Sequence, residues 1–371
     1  MNDLKRTRIF VDCHVFDGGF QGTRTYIKGL YSVLVQDRSR DFFLAACNVE
    51  KLKAEFGEQP NITYIQYPGE SKIKRLLFDL PRLLKKHKID YAHFQYRVPP
   101  VKVCKYIVTT HDVLFEDFPE FFPKLNRLQS RITYKYSARM SDIVFTVSSY
   151  SKNEISQYLG VTDAIVMPNG VDDIFFETYD KTQIKQEVAQ SYGLGDYLIY
   201  ISRLEPRKNQ HLVLQHFIDL ELYKTRQLVF VGHETFYIPE LHKILDGLSS
   251  DIKKRIIFIE HLAYPEMIKL LRGSSAFIYP SIAEGFGIPP LEAAAAGIPV
   301  LCSNQTAMSD FTFFGNNLFD PSNEKEFKEK LLRIATSAPN ETQLNSLQQT
   351  VKENYNWENA ARIFNSSIKE R

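Results

Sequence analysis

The 371-residue sequence predicts an α/β protein built from two doubly wound parallel-sheet domains. Three observations carry this. Short β-rich runs alternate with helical periodicity along most of the chain, as parallel strands with helical crossovers require. The alternation halts near residue 175 and then starts again. At roughly 150 residues per domain, a chain of 371 residues is also too long for one ordinary core.

"RIFVDCHVF" (8–16) reads as a buried parallel strand, followed by the polar loop "DGGFQGTR" and a helix over "TYIKGLYSVLVQD", where apolar residues recur at i, i+3 and i+4. The runs "DFFLAACN", "NITYIQY", "DYAHFQY", "KYIVTTHD" and "DIVFTVSS" continue the pattern as short strands separated by helical stretches. "VMPNGVDDIFF" (166–176) has turn chemistry at Pro168-Asn169-Gly170, which puts the end of a first Rossmann-like domain, 1–175, just beyond it. A second Rossmann-like domain, 176–350, follows from five more strand candidates: "YLIYIS" (197–202), "QLVFVG" (227–232), "RIIFIE" (255–260), "AFIYP" (276–280) and "IPVLCS" (298–303). The remaining 351–371 contains "NYNWENAARIFNSSIKE", a helix capped at Asn356. Two such domains are expected to face one another across a cleft, where loops at strand carboxyl ends collect ligands.

Composition narrows the function classes. Hydrophobic residues make up 44% of the chain, aromatics 13% and charged residues 24%, which suits large cores. The formal charge is only +2, which argues against a dedicated nucleic-acid binder. Cys13, Cys47, Cys104 and Cys302 lack metal-ligand or disulfide-framework spacing and sit in or beside strand-like runs, consistent with a reducing compartment. "MNDLKRTRIFVDCHVF" passes from charge straight into a strand pattern without a signal-peptide core, and no window holds the roughly 18 apolar residues of a membrane span. The expectation is a cytoplasmic protein, soluble or peripheral to the cytoplasmic face of a membrane.

Three constellations carry chemistry. In "YPSIAEGFGIPPLEAAAAGIPVL" (279–301), a strand ends at Pro280, a Gly-rich loop runs over 281–288, and Pro289 and Pro290 open a helix that Gly297 and Pro299 close. This places Glu284 in the loop and Glu292 in the first helical turn. Gly285 and Gly287 let backbone approach a ligand, the helix start offers unpaired N–H groups, and each carboxylate suits a vicinal diol. The plain alternative is a turn with a glutamate favourable to the helix dipole. "SRLEPRKNQHLVL" sets Arg203 and Lys208 around a Pro-containing turn at a strand mouth, which reads as a diphosphate site in which two cations meet the charge gained by a leaving group; the plain alternative is two solvated basic turn residues. In the first domain, "DGGFQGTRTY" gives Gly18, Gly19 and Gly22 at a helix start, without dinucleotide-fingerprint spacing, and "VTTHDVLFEDFPEFF" puts His111 and Asp112 at a strand mouth.

Taken together, "QGTRTYI", "THD", "VSSYSKNEI", "VMPNGVD", "YISRLEPRKNQ", "EGFGIPPLEAAAAGIPVL" and "YNWENAARIF" resemble, in order and across nearly the whole chain, the retaining GT-B glycosyltransferases of family 4. The resemblance implies an acceptor-binding first domain, a nucleotide-sugar-binding second domain and a terminal helix that crosses back to the first. It implies that Arg203 and Lys208 hold the donor diphosphate and Glu292 the ribose. Glu284, Gly285, the backbone of Phe286 and Gly287, and Ile288 would hold the donor sugar, Gly19 and Gly22 would approach phosphate, and His111 would meet the sugar 6-hydroxyl. The catalytic set would be Arg203, Lys208, Glu284 and His111. Where many relatives carry a Pro-Glu pair after the strand that follows, this chain reads "SNQTAMSDFTFFGNN", so the outer sugar contacts do not carry over.

The implied reaction transfers a hexosyl group from a nucleotide diphosphate to an acceptor hydroxyl with retention and without a metal or other cofactor. UDP-glucose is the first expectation for the donor and GDP-mannose the second; the acceptor is a glycan or lipid-linked glycan of a cell-surface polysaccharide. A nucleotide-sugar epimerase and a non-catalytic nucleotide-sugar-binding partner are the competing readings. "SKIKRLLFDLPRLLKKHK" (71–88), with seven Lys or Arg and one Asp, and the four-residue spacing of Arg127, Arg131, Lys135 and Arg139 point to peripheral contact with anionic membrane or to solvated faces.

Overall fold

A computed structural model describes residues 6–18, 22–69 and 71–368. The chain divides into two compact units, Met1–Gly170 with Asn356–Arg371, and Val171–Tyr355.

Among the described residues the first unit holds seven parallel strands: β1 (Thr7–Asp12), β2 (Arg40–Ala46), β3 (Ile62–Gln66), β4 (Tyr91–Gln95), β5 (Lys105–Thr109), β6 (Ile143–Thr146) and β7 (Ile165–Val166), in the order β3-β2-β1-β4-β5-β6-β7. The order reverses between β1 and β4, and Ile9, Phe10 and Val11 pair with Tyr91, Ala92 and His93 there. All five residues of β4 are buried, as a central strand covered on both faces should be. The run 8–16 is not one strand. It stops at Asp12, whose carboxylate accepts the His14 backbone N–H at 3.3 Å and turns His14–Phe16 into a short 3₁₀ segment. Gly19 lies outside the described residues, and Gly22 opens the first helix, Gly22–Leu34.

The second unit repeats the plan with β8 (Tyr197–Ile201), β9 (Gln227–Val231), β10 (Ile256–Ile259), β11 (Ala276–Tyr279), β12 (Val300–Ser303) and β13 (Leu318–Phe319), parallel in the order β10-β9-β8-β11-β12-β13. Its reversal falls between β8 and β11, where Ala276 and Phe277 pair with Leu198 and Ile199. The two-residue edge strands β7 and β13 are too short to leave an alternation in the sequence.

The last helix, Trp357–Ser367, belongs to the first unit. The Asn356 side chain caps it by accepting the Asn359 N–H at 2.8 Å. Phe364 stacks on Phe145 of β6 and meets Tyr31 edge-on, while Trp357 sits against Tyr26 and two glycines. A Cβ at Gly29 would fall 1.9 Å from the Trp357 ring, and one at Gly170 would fall 2.5 Å from the Trp357 backbone nitrogen. The glycines are therefore required by close approach rather than by their dihedral angles. Gly170→Ala should lower stability by about 1–3 kcal/mol through overpacking. Urea unfolding followed by fluorescence of the single tryptophan checks this.

Candidate functional site

In the second unit, the chain leaves β8, turns through a 3₁₀ segment, Pro206–Lys208, and enters the helix Gln210–Asp219. Asn209 takes a left-handed conformation (φ 58°) between them, and the Gln210 amide ties the turn back by donating to the Arg203 carbonyl at 2.9 Å. This turn and the loop after β11 meet at the reversal of strand order, where open α/β sheets place their ligands.

Lys208 and Glu284 are buried there as a direct ion pair, with Lys208 Nζ 2.5 Å from Glu284 Oε1. Tyr279, at the end of β11, accepts from Lys208 Nζ at 3.1 Å and donates its hydroxyl to the same Glu284 oxygen at 2.7 Å. Arg207 bridges two carboxylates, with Nε 3.0 Å from Glu205 and Nη1 3.4 Å from Glu284, and also donates to the Ala283 carbonyl. Arg203 pairs with Glu205 at 3.2 Å and keeps half of its side chain exposed. Burial by itself would raise the Glu284 carboxyl; Lys208 and Arg207 outweigh it and hold the group well below the usual carboxylate range. Burial pushes the Lys208 ammonium down against the opposing pull of Glu284.

Backbone geometry sets the loop. The Glu284 N–H donates to the Thr306 hydroxyl at 2.9 Å. Gly287 has φ 96°, and a Cβ there would lie 2.9 Å from the Met308 side chain, so both conformation and space call for glycine. The stretch "SNQTAMSDFTFFGNN" thus supports the loop from behind, and Phe311 meets the Phe286 ring edge-on at 5.9 Å. Gly285 and Gly287 are buried and Ile288 half-buried at the start of the helix Ile288–Ala295. Glu292 is the fifth residue of that helix, in its second turn rather than its first. It is half-buried, and low-polarity surroundings and the nearby Asp172 carboxylate push its pKa up to about 8. Tyr264 donates to Asp172 at 3.5 Å.

In the first unit, His111 follows β5 and is buried. Its Nε2 lies 2.6 Å from Gln95 Oε1, at the end of β4, and its ring meets Tyr26 edge-on at 4.8 Å.

The structure brings Lys208 and Glu284 together, sets Arg203 at their rim, and places Glu292 in a separate group with Asp172 and Tyr264. Arg207, Glu205, Tyr279, Thr306 and Gln95 were not among the sequence candidates. Arg207 stands directly before Lys208 in "EPRKN", a usable signal; the others enter through contacts spanning up to tens of residues, which spacing does not reveal. Among the described residues, no group of three or more His, Cys, Asp or Glu is placed to hold a metal ion.

Residues 181–357 match the family model for Glycosyl transferases group 1, and residues 22–174 match that for Glycosyltransferase Family 4. The chain belongs to the group 1/family 4 glycosyltransferases. Among curated relatives, the O-antigen chain mannosyltransferase B of Escherichia coli is 26% identical over 66% of this chain and 66% of its own length. The serotype-specific mannosyltransferase WbdA of Escherichia coli is 24% identical over 60% of this chain and 28% of its own. The N-acetyl-alpha-D-glucosaminyl L-malate synthase of Bacillus anthracis is 27% identical over 60% of this chain and 58% of its own. The chain thus spans just under two thirds of the first of these proteins and as little as 28% of the others. Among solved structures, sucrose-phosphate synthase from Thermosynechococcus elongatus superposes with a TM-score of 0.73 at 14% identity, covering 98% of each chain. Anabaena HepE in complex with UDP-glucose gives 0.73 at 17%, covering 98% of this chain and 99% of that one. At those identities the likeness is one of fold, and it makes this family member a GT-B protein of two parallel-sheet α/β domains.

Glu292 generates a pH prediction for this glycosyltransferase-family chain. A carboxyl whose folded pKa is raised contributes stability that is fully present below its unfolded value and lost as pH rises through the folded one. Between about pH 5 and pH 8, wild-type stability should therefore fall relative to Glu292→Gln, as urea midpoints across that range would register.

Proposed function

We propose that the protein is a retaining glycosyltransferase that moves a hexosyl unit from a nucleotide-diphosphate sugar to a hydroxyl of a glycan or lipid-linked glycan in cell-surface polysaccharide synthesis. The observation that carries this reading is the charged cluster at the reversal point of the second sheet. Arg203, Arg207 and Lys208 stand against Glu205 and Glu284, three cations to two carboxylates, which leaves one positive charge for an anionic ligand. Lysine carries three N–H donors, and Glu284 and Tyr279 engage two, so the third is available to a diphosphate oxygen.

In the reaction, the bond from the anomeric carbon to the diphosphate oxygen breaks and its electron pair stays on that oxygen. The acceptor oxygen bonds to the same face of the carbon, and its proton passes to the departing phosphate. Lys208 and Arg203 stabilise the charge that gathers there, and we assign the neutralisation to them without a divalent ion. Glu284, fixed by Lys208 and Arg207, accepts from hydroxyls of the donor sugar; Glu292 binds the ribose; His111 meets a sugar hydroxyl. For the donor, the mannosyltransferase names among the relatives favour GDP-mannose, while the Anabaena HepE complex with UDP-glucose supports UDP-glucose.

The proposed membrane contact also has side chains to support it. Ile73 and Phe78 are 72% and 66% exposed beside the exposed Lys72 and Lys74, and Leu125 and Ile132 are 78% and 61% exposed on the helix Lys124–Met140. Part of that helix's basic face is already engaged: Arg131 pairs with the buried Glu116 and Arg139 donates to the Leu159 carbonyl. Among the described residues, no helix is long and apolar enough to cross a membrane.

Incubation with GDP-mannose and UDP-glucose, monitoring nucleotide release and the anomeric configuration of the product, tests the function. Lys208→Ala should lower kcat/KM by roughly 100- to 1,000-fold. Unchanged transfer in that variant would remove the diphosphate assignment, and a new sugar epimer formed from donor alone would identify an epimerase. Exhaustive dialysis against EDTA should leave transfer intact. Ile73→Asp/Phe78→Asp should reduce co-sedimentation with phosphatidylglycerol vesicles at low salt by about tenfold or more, as loss of buried apolar surface implies.

A further inference from the structure

Behind His111 runs a chain of buried polar groups that the reaction above does not use. Tyr31 Oη lies 2.7 Å from His93 Nδ1, and His93 Nε2 lies 2.7 Å from Thr109 Oγ1. Tyr26 Oη lies 2.8 Å from the same Thr109 oxygen, and Gln95 Nε2 faces His93 Nε2 at 3.4 Å. His93, Thr109, Tyr26 and Tyr31 are essentially inaccessible to water. Gln95 joins this chain to His111.

We propose that Gln95 is a positioning residue that holds His111 as its Nε2–H tautomer, so that Nδ1 offers a lone pair to a hydroxyl hydrogen of the sugar substrate. The amide of Gln95 has one acceptor end and one donor end. In the proposed arrangement its NH₂ end donates to His93 Nε2, which puts the His93 ring hydrogen on Nδ1 toward Tyr31 Oη, with the Thr109 and Tyr26 hydroxyls oriented to match. With the amide so anchored, its carbonyl oxygen is the end presented to His111, and a carbonyl oxygen at 2.6 Å requires a hydrogen on the facing nitrogen. That leaves Nδ1 bare. Burial also disfavours a second proton, pushing the His111 pKa down to about 3. The groups facing the ring are Tyr26 from the first helix, His93, Gln95 and Tyr96 from β4 and its end, and Asp112 beside it; Tyr96 donates to Asp112 at 3.4 Å. His111 is thereby a hydrogen-bond acceptor, and it recognises a hydroxyl by its hydrogen rather than by its oxygen. This assignment rests on the placing of His111 at the sugar substrate, and the experiment separates the two.

The full chain labelled with ¹⁵N-histidine, with the His111 resonances assigned by their loss in His111→Gln, reports the tautomer through two-bond ¹H–¹⁵N correlations. The expected pattern is protonated Nε2 and bare Nδ1, with no titration down to about pH 5; an Nδ1–H tautomer, or a midpoint near the ordinary value of about 6.5, overturns the proposal. Gln95→Glu sets a carboxylate against Nε2–H and should raise the His111 midpoint by about one to three pH units over wild type. A midpoint that does not move overturns the proposal. If kcat/KM falls about tenfold per pH unit below the raised midpoint, the acceptor role is supported. If the midpoint rises while kcat/KM stays flat across it, the tautomer assignment stands and the placing of His111 at the substrate fails.

Discussion

Lys208 and Glu284 are opposite charges held out of water at the mouths of two adjacent strands, β8 and β11, that are far apart in sequence. Burying either one alone would cost several kcal/mol, and their mutual attraction repays that only when the remaining donors and acceptors are also met. Tyr279 and Arg207 meet all but one lysine N–H. The turn at 206–208 and the loop at 281–288 are therefore bound to one another, and each fixes the other's backbone: the Ile282 N–H donates to the Arg207 carbonyl at 2.9 Å. The cluster around the pair is not electrically self-sufficient. It carries one more cation than carboxylate, and the most exposed of the three cations is Arg203, on the side that water and an anion can reach.

The fold was legible because it repeats one unit. Eleven of the thirteen strands among the described residues lie, to within a residue, inside β-rich runs visible in the sequence, since a parallel strand buried on both faces must be almost wholly apolar. The two that escaped, β7 and β13, are two residues each, and pairing at a sheet edge rather than side-chain pattern makes them strands. The run 8–16 misled for a related reason. Its apolar content continues past Asp12 because Val15 and Phe16 are still core residues, although the backbone has already turned.

The site was legible in its residue types and only partly in its partners. "EPRKN" and "EGFG" named the charges, but which cation meets which carboxylate depends on the register of β8 against β11, and that is a tertiary fact. Arg207 illustrates the limit. In the sequence it is a basic turn residue like many others; in the structure it spans Glu205 and Glu284 and is the more enclosed of the two arginines. Gln95 is more extreme, because nothing about a glutamine at a strand end signals that its amide meets the ring of a histidine sixteen residues on.

Both units place polar side chains where the strand order reverses, yet they solve the cost of burial differently. The second unit buries charge and compensates it with charge, giving a cluster whose strength suits an ionic ligand and whose geometry is set by ion pairs. The first unit buries neutral groups and compensates them with a hydrogen-bond chain, in which orientation rather than charge is the stored information. A buried chain of this kind has two consistent directions of donation that reverse together, so the orientation of the one Gln95 amide goes with the tautomers of both histidines it joins. Where an ion pair tolerates small shifts because Coulomb attraction falls slowly with distance, a directed chain does not. Recognition of a neutral hydroxyl is a problem of direction, and under the proposed placing of His111 it falls to the first unit's chain.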